Sequence, residues 1–286
     1  MAVTTCTSTP TSPTAEGQSS RAGVGSTAER TCGRVVEVSS ELHRCHDEVL
    51  DALGALVAET GLSSERGERV RLDRRSSFRY FGLRTADRRR RVAAGFSFTS
   101  DGDSAVLATW DGIWNSTDNG DVLFAVLDFY RDRTRIASQA QFWRTAVGWI
   151  DRIDNWAHAD DLARLYSFAL AASPDLVYPT LEAWSLAESE WSRRVSMVSL
   201  IHYSGKNAVF MPIDACLELV ANCADDNRAT VYKAVGWVLR ETMAKYPDEV
   251  IDFLETHAPR MPSPAIRRAT ERLAPAQRDA IRAGIG

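Results

Sequence analysis

Apolar residues recur every three or four positions along most of the chain from Val35 onward. The same spacing returns in later segments, among them residues 122–130, 142–150 and 162–169. A repeat of this length is that of an amphipathic helix with one buried face. The alternation of apolar and polar positions that marks a strand is nowhere sustained. The pattern therefore predicts a chain built of helices. The first stripe consists of Leu42, Val49, Leu50, Leu53, Leu56 and Val57.

Helix-breaking and capping residues divide this pattern into segments of about 10 to 20 residues. Ser173-Pro174, Ser204-Gly205 and Tyr246-Pro247 are examples. About a dozen short helices joined by tight turns result. We expect an all-α fold in which antiparallel helix pairs stack into an α-α superhelix, a HEAT-like repeat solenoid with a concave cleft. A globular helix bundle is the alternative, because explicit self-similarity is weak, although degenerate HEAT-like repeats also show little of it.

The first 34 residues differ from the rest of the chain. They are rich in Ser, Thr, Pro and Gly and almost free of large apolar side chains, so they cannot offset the entropy lost on ordering. We predict a disordered leader over residues 1–34 and one folded domain over residues 35–286. The leader lacks the pattern of a secretory signal, and no apolar run approaches the roughly 20 residues of a membrane span. A cytoplasmic protein that does not enter the membrane is expected.

The composition of the 286 residues, 44% hydrophobic and 25% charged, is that of an ordinary globular protein. Its five cysteines are an odd number without CxxC spacing, which favours reduced thiols over a zinc site. The net charge of −4 argues at first against a nucleic-acid partner. Residues 66–91, however, contain eleven arginines and only three acidic residues. A strongly basic segment is thus present in an acidic chain.

Three segments combine tryptophan with charged side chains. Trp156 and Asp160 are four residues apart, so both project from one face at the start of a helix. An arginine pair ending at Arg194 opens another helix and could bind phosphates through both guanidinium groups. Trp237 and Arg240 are three residues apart and share a third face. These segments are candidates for binding and chemistry.

Each of these features also has a purely structural interpretation. A tryptophan at helical spacing is more often part of a core than of a site. Asp160 could favour the helix dipole in a first turn, and Arg194 could pair with Glu190. The basic segment 66–91 could be a solvated helical face. His158 lies on a different helical face from its tryptophan and aspartate neighbours, and we assign it a structural role.

Taken in order, the segments resemble the AlkD-type DNA alkylation repair glycosylases, which are built from HEAT-like repeats. Residues 80–89, Tyr-Phe-Gly-Leu-Arg-Thr-Ala-Asp-Arg-Arg, are similar to an early family stretch of Phe-x-Gly-x-x-Thr-x-acid-Arg-Arg. Residues 113–130 resemble the next family pair. Residues 153–160, 191–194 and 233–241 resemble the three most diagnostic motifs. The resemblance extends from about residue 78 to residue 273.

The chain departs from the family pattern at three places. Ala157 stands where the family often has an acid, and Ala159 where it often has a valine. The stretch between Arg194 and Trp237 is a few residues longer than in the family. The leader is additional. These departures leave open whether activity is weakened.

The resemblance implies an alkylpurine DNA glycosylase. Such an enzyme hydrolyses the N-glycosidic bond of N3- or N7-alkylated purines in double-stranded DNA without flipping the base, and it leaves an abasic site. It implies a monomer associated with the nucleoid, with no metal and no organic cofactor. The catalytic residues it implies are Trp156, Asp160 and Trp237. The DNA-contacting residues assigned on this basis are Arg194, Arg240, Arg88, Arg89, Thr85 and Lys233.

Two other functions stay open at this point. A non-catalytic HEAT-repeat protein could bind branched or distorted DNA through the same concave surface, although the retained set of Trp156, Asp160 and Trp237 argues against it. A HEAT-repeat scaffold for protein partners would have no need of a basic cleft. The sequence does not decide whether a methyl or a bulky adduct is preferred, nor whether the protein serves general repair or self-resistance.

Overall fold

The computed structural model describes the backbone of residues 27–63, 65–204 and 207–283. Within these ranges the chain forms fourteen α-helices and one two-stranded hairpin. The prediction of an all-α fold is confirmed. No described helix has the length and apolar character that would let it cross a membrane. The helices are α1 (Thr27–Glu59), α2 (Arg66–Arg74), α3 (Thr85–Ala93), α4 (Asp103–Ser116), α5 (Gly120–Arg131), α6 (Gln139–Ala146), α7 (Trp156–Ala172), α8 (Pro174–Ser185), α9 (Glu190–Val198), α10 (Ile213–Asn222), α11 (Ala229–Met243), α12 (Pro247–His257), α13 (Ser263–Ala269) and α14 (Pro275–Ala283).

The predicted leader overlaps the first helix. Helix α1 begins at Thr27, so residues 27–34 are helical, whereas the sequence analysis assigned them to a disordered segment. Good helix formers in this stretch, such as Ala28, Glu29 and Arg30, account for the difference. Residues 1–26 lie outside the described residues, and a boundary after residue 34 stays a prediction. The fold described below is that of the unit Glu41–Gly286.

Alternate helices of this unit pack side by side in two rows. In one row α3 packs on α5, α5 on α7, α7 on α9, α9 on α11, and α11 on α13. In the other, α4 packs on α6, α8 on α10, and α10 on α12. Consecutive helices such as α7 and α8, or α11 and α12, connect the rows. Stacking of helix pairs in this manner is the arrangement of a helical repeat protein.

The first half of the unit is held together by an aromatic core. Trp110, Trp114, Trp143 and Trp149 are all buried, so half of the eight tryptophans belong to the core. The rings of Trp114 and Trp149 stack with centroids 5.0 Å apart. The indole nitrogen of Trp149 donates to Asp111 Oδ1 at 2.7 Å, which satisfies its polar edge.

A hairpin interrupts the helices between α9 and α10. Strands β1 (Ile201–Ser204) and β2 (Asn207–Phe210) pair antiparallel, with Ile201 opposite Phe210. The sequence analysis found no sustained strand alternation because each strand is only four residues long. Ile201 and Phe210, which pair across the two strands, are of residue types that favour extended backbone. The hairpin lies between Arg194 and Trp237, in the stretch that the resemblance implies to be a few residues longer than in the family.

Candidate functional site

The start of α7 is fixed by its N-cap. Asn155 is buried, and its side-chain oxygen accepts hydrogen bonds from the backbone N–H groups of Ala157 and His158. This satisfies donors that the first turn of a helix leaves without partners. Trp156 and Asp160 then project from one face, with 53% of Trp156 and 38% of the Asp160 side chain exposed. The predicted aromatic and acidic surface is present.

The exposed face of α7 forms part of a cleft of about 1100 Å³. The cleft is lined by the end of α2 and by α7, α9, α11 and α13, together with the segments that adjoin them. Apart from α2, these helices all belong to the row that contains α7. The helical stacking therefore brings together residues that are far apart in the sequence. Five of the predicted site residues line it: Trp156, Asp160, Arg194, Lys233 and Trp237.

Asp160 and Arg194 form a bidentate ion pair across the cleft wall. Arg194 Nε donates to Asp160 Oδ1 at 2.8 Å, and Arg194 Nη2 donates to Asp160 Oδ2 at 2.9 Å. Arg194 Nη1 also donates to the carbonyl oxygen of Thr230 at 2.8 Å. The arginine side chain is only 11% exposed. Two parallel hydrogen bonds fix the plane of the carboxylate. In this structure Arg194 therefore orients Asp160, whereas the sequence analysis assigned it to DNA contact.

Positive charge exceeds negative charge among the residues that line the cleft. Seven are basic and five are acidic. Three of the basic residues are exposed and have no side-chain hydrogen bond or ion pair within the described part of the chain. These three are Arg75, Lys233 and Arg268. Cations without partners are those most available to an anionic ligand. Of the three, the sequence analysis named only Lys233.

Arg88 was predicted to contact DNA, but it does not line the cleft, and this prediction is corrected. Its side chain is 3% exposed. Arg88 Nε donates to Asp128 at 2.8 Å, and its guanidinium lies 3.5 Å from Asp121. The cause is that Arg88 lies on the face of α3 that packs against α5. Its neighbour Arg89 also donates to Asp128 at 2.8 Å and is partly exposed, but it does not line the cleft.

Arg240 and Thr85 are also placed away from the cleft lining. Arg240 donates to Glu241 and Glu271 at 2.8 Å each. A residue three positions after Trp237 lies about 60° from it around the helix, and at that position Arg240 reaches these two carboxylates. Thr85 is exposed at the first position of α3. A DNA contact by either residue would need a surface outside the cleft.

The structure also reveals residues that the sequence analysis did not name. Asp154 Oδ2 accepts hydrogen bonds from the Ser77 backbone N–H at 2.6 Å and from the Ser77 hydroxyl at 2.8 Å. The Ser76 hydroxyl donates to the same carboxylate at 2.9 Å. Partial burial alone would raise the pKa of Asp154, but hydrogen bonds from Asn155, Ser77 and Ser76 outweigh it and lower that pKa. This carboxylate connects the end of α2 to the start of α7. Only its place two residues before Trp156 could have marked it in the sequence.

A second carboxyl group lies next to the candidate catalytic residue. Asp161 lines the cleft, and burial together with the nearby Asp128 carboxylate raises its pKa. Its nearest cation is Arg131, at 3.8 Å. Asp161 lacks the bidentate arginine that orients Asp160. The two adjacent acids of α7 therefore stand in different environments.

His158 has a structural position, as the sequence analysis expected. Its ring is fully buried, with Nε2 donating to the carbonyl oxygen of Gly120 at 2.9 Å and Nδ1 accepting from Asn155 at 2.8 Å. The ring stacks on Tyr80 with centroids 6.0 Å apart. Desolvation lowers its pKa to about 3. A neutral ring with both nitrogens engaged does not transfer protons in the cleft.

The chain is similar to a known protein family and to solved structures. A model of the family described as "DNA alkylation repair enzyme" matches residues 63–273. The fold is similar to a solved structure described as a predicted DNA alkylation repair enzyme from Enterococcus faecalis, with 16% sequence identity and a TM-score of 0.59. That similarity covers 74% of this chain and 96% of the other. No curated protein matches the sequence.

Proposed function

The chain belongs to the DNA alkylation repair enzyme family, and from this premise we propose that it is a DNA glycosylase. We propose that its substrates are N3- or N7-alkylated purines in double-stranded DNA, and that it hydrolyses the N-glycosidic bond to leave an abasic site. The observation that carries the proposal is the Asp160 carboxylate, fixed by Arg194 and sharing one cleft with Trp156 and Trp237.

The reaction needs a negatively charged carboxylate near the sugar more than it needs a general acid at the departing base. An alkylated purine already carries positive charge, so it departs readily, and the positive charge moves to the sugar as an oxocarbenium-like cation. The enzyme must stabilise that cation and position a water molecule. A carboxylate about 4 Å from such a cation contributes roughly 4 kcal/mol at an effective dielectric constant near 20. That contribution corresponds to about a thousandfold in rate. Asp160 is oriented and partly exposed, as this role requires.

The two cleft tryptophans can act on the same cation. The face of an indole ring attracts positive charge, and each such contact contributes roughly 0.5 to 2 kcal/mol. Trp156, with half of its surface exposed, has a face available to a sugar. Trp237 is half-buried and lines the same cleft. We assign both residues to the stabilisation of the sugar cation.

The lining of the cleft supports action on a base that is not flipped. Enzymes that extrude a base receive it in a snug pocket where it stacks between aromatic or apolar side chains. This cleft is lined by twelve charged residues, and its Trp156 is 53% exposed. Such a surface suits the charged sugar-phosphate backbone better than an extruded base. A bulky adduct then has no enclosing pocket to fit into.

Basic residues of the cleft that make no side-chain hydrogen bond or ion pair in the described part of the chain are the ones we assign to phosphate contact. Lys233 and Arg268 are two such residues. Contacts to phosphate fix the DNA register without reading sequence, which suits a protein that must find damage anywhere. We propose that the protein acts as a monomer at the nucleoid and needs no cofactor.

The test is release of free base from duplex DNA that contains 7-methylguanine or 3-methyladenine. We expect the wild-type protein to release base and Asp160→Asn to lose about a thousandfold in single-turnover rate while it still binds duplex DNA. Asp161→Asn is the matched control, because it removes the neighbouring carboxylate of the same helix, and it should retain release. DNA binding without base release by the wild-type protein, with methylated and with bulkier adducts, would instead indicate a non-catalytic DNA-binding protein.

A further inference from the structure

One residue of the cleft has an unfavourable backbone conformation. Arg75 has φ 54° and ψ 39°, and it is the one non-glycine residue with positive φ in the described part of the chain. It follows the last residue of α2, a position where helices commonly place glycine because a Cβ atom disfavours this conformation. Glycine would therefore suit the fold better than arginine. An arginine in such a conformation points to a role for its side chain.

Arg75 lines the cleft, and its side chain has no hydrogen-bond or ion-pair partner among the described residues. It is exposed and lines the same cleft as Trp156 and Asp160. The preceding residue differs. The guanidinium of Arg74 lies over the rings of Tyr80 and Phe124, at 5.0 and 4.7 Å from their centroids. Of two consecutive arginines, one is therefore engaged inside the protein and the other is available.

The backbone that carries Arg75 is fixed to the start of α7. Its N–H closes the end of α2 by bonding to the carbonyl oxygen of Leu72 at 3.1 Å. The next two residues, Ser76 and Ser77, both bond to the carboxylate of Asp154. Asp154 stands two residues before Trp156. The strained residue is thus held by hydrogen bonds to the same helix start that presents Trp156 and Asp160.

We propose that Arg75 is a further DNA-binding residue that takes a backbone phosphate at the cleft, which Lys233 of α11 and Arg268 of α13 also line. The inference rests on the proposed function, since it needs DNA in the cleft. The ligand class is a phosphodiester, because an exposed guanidinium can bind two phosphate oxygens at once. Because Ser76 and Ser77 bond to Asp154, the backbone of Arg75 is held close to the helix start that carries Trp156.

The test compares Arg75→Gly and Arg75→Gln with Arg84→Gln. Arg84 is an exposed arginine of the same basic segment that does not line the cleft, so it controls for the loss of one positive charge. Affinity for undamaged duplex DNA is measured over a range of salt concentrations. Both Arg75 variants should lose affinity by about tenfold, with the slope of log K against log salt reduced by about 0.9. Arg84→Gln should leave both quantities near the wild-type values.

A thermal melt separates the binding role from a structural one. Arg75→Gly relieves the backbone strain, so its melting temperature should equal or exceed that of Arg75→Gln. Loss of affinity without loss of stability supports the proposal. If Arg75→Gln binds like Arg84→Gln while the wild-type protein releases alkylated base, the inference is overturned and the proposed function stands. If the wild-type protein does not bind duplex DNA, both are wrong.

Discussion

Acid should weaken the fold through His158, and the size of the effect follows from its burial. The folded protein holds this ring neutral, with a pKa of about 3 against 6.5 for an exposed histidine. Below pH 6.5 the unfolded chain therefore takes up a proton that the folded chain does not. The contribution of the neutral ring is complete above pH 6.5, and stability is lost progressively as the pH falls from 6.5 towards 3. Between about pH 6.5 and 5.5 the loss is about 1 kcal/mol.

The perturbation that isolates this effect is His158→Gln. A glutamine amide can donate to the Gly120 carbonyl oxygen and accept from Asn155, as the neutral ring does, but it does not titrate. The variant should be less stable than wild type near neutral pH by about 1 to 3 kcal/mol because its packing is poorer. Between about pH 6.5 and 5.5, the unfolding free energy of the variant should fall by about 1 kcal/mol less than that of the wild-type protein. His202, whose pKa burial also lowers, is present in both proteins and cancels in the comparison.

Two measurements check this prediction. Urea unfolding of both proteins across the pH range gives the difference in slope. NMR of the imidazole protons gives the titration directly. In the folded protein the chemical shift of His158 should stay constant as the pH is lowered to about 5. A His158 resonance that titrates near pH 6.5 in the folded protein, or equal pH slopes for the two proteins, would refute the reasoning. Because His158 bonds to the N-cap Asn155, the same experiment reports on the stability of the α7 start.

Two further substitutions test the packing that supports the cleft. Gly236→Ala should destabilise the protein by about 1 to 3 kcal/mol in urea unfolding, because a Cβ there would lie 2.6 Å from a backbone oxygen of α13. Gly148→Ala is the control: a Cβ at that position has no atom within 4 Å, so the unfolding free energy should change little. Arg88→Met should lower the unfolding free energy by about 3 to 5 kcal/mol, because the buried Asp128 carboxylate loses one of its two arginine partners. At a temperature where the variant is folded, its DNA affinity should keep the wild-type dependence on salt. A smaller slope of log K against log salt would show that Arg88 does contact DNA.

The predictable part of the fold is the part governed by local periodicity. Helical spacing and breakers depend on neighbours in the chain, and they predicted an all-α protein of short helices. The hairpin at residues 201–210 was missed because two strands of four residues are too short to show alternation. Helix α1 begins at Thr27, inside the segment assigned to the leader, because the end of that Ser- and Gly-rich segment contains good helix formers. Short elements and boundaries are decided by few residues, and a pattern averaged over a window does not resolve them.

The candidate site shows a similar division. Trp156, Asp160 and Trp237 were named from motifs, and the structure places all three in one cleft. Of the basic segment 66–91, only Asp73, Arg74 and Arg75 line the cleft, and the charge of the segment did not indicate which arginines those would be. Its arginines divide between interior and surface according to helix phase, which neighbouring helices determine. Arg88 turns inward to carboxylates 33 and 40 residues away in sequence, and no local pattern predicts such a pairing.

Helix phase also explains why the two alanines that depart from the family pattern are compatible with the site. Residues 156 and 160 project from one face of α7, whereas residue 158 lies roughly 200° around the helix from residue 156 and points into the core. Ala159 is fully buried, and Ala157 is half-buried against the core. Neither lines the cleft. A change at these two positions alters the packing beneath the site and leaves the surface presented to DNA unchanged, so base release should depend on Asp160 and Trp156 and not on the departures beside them.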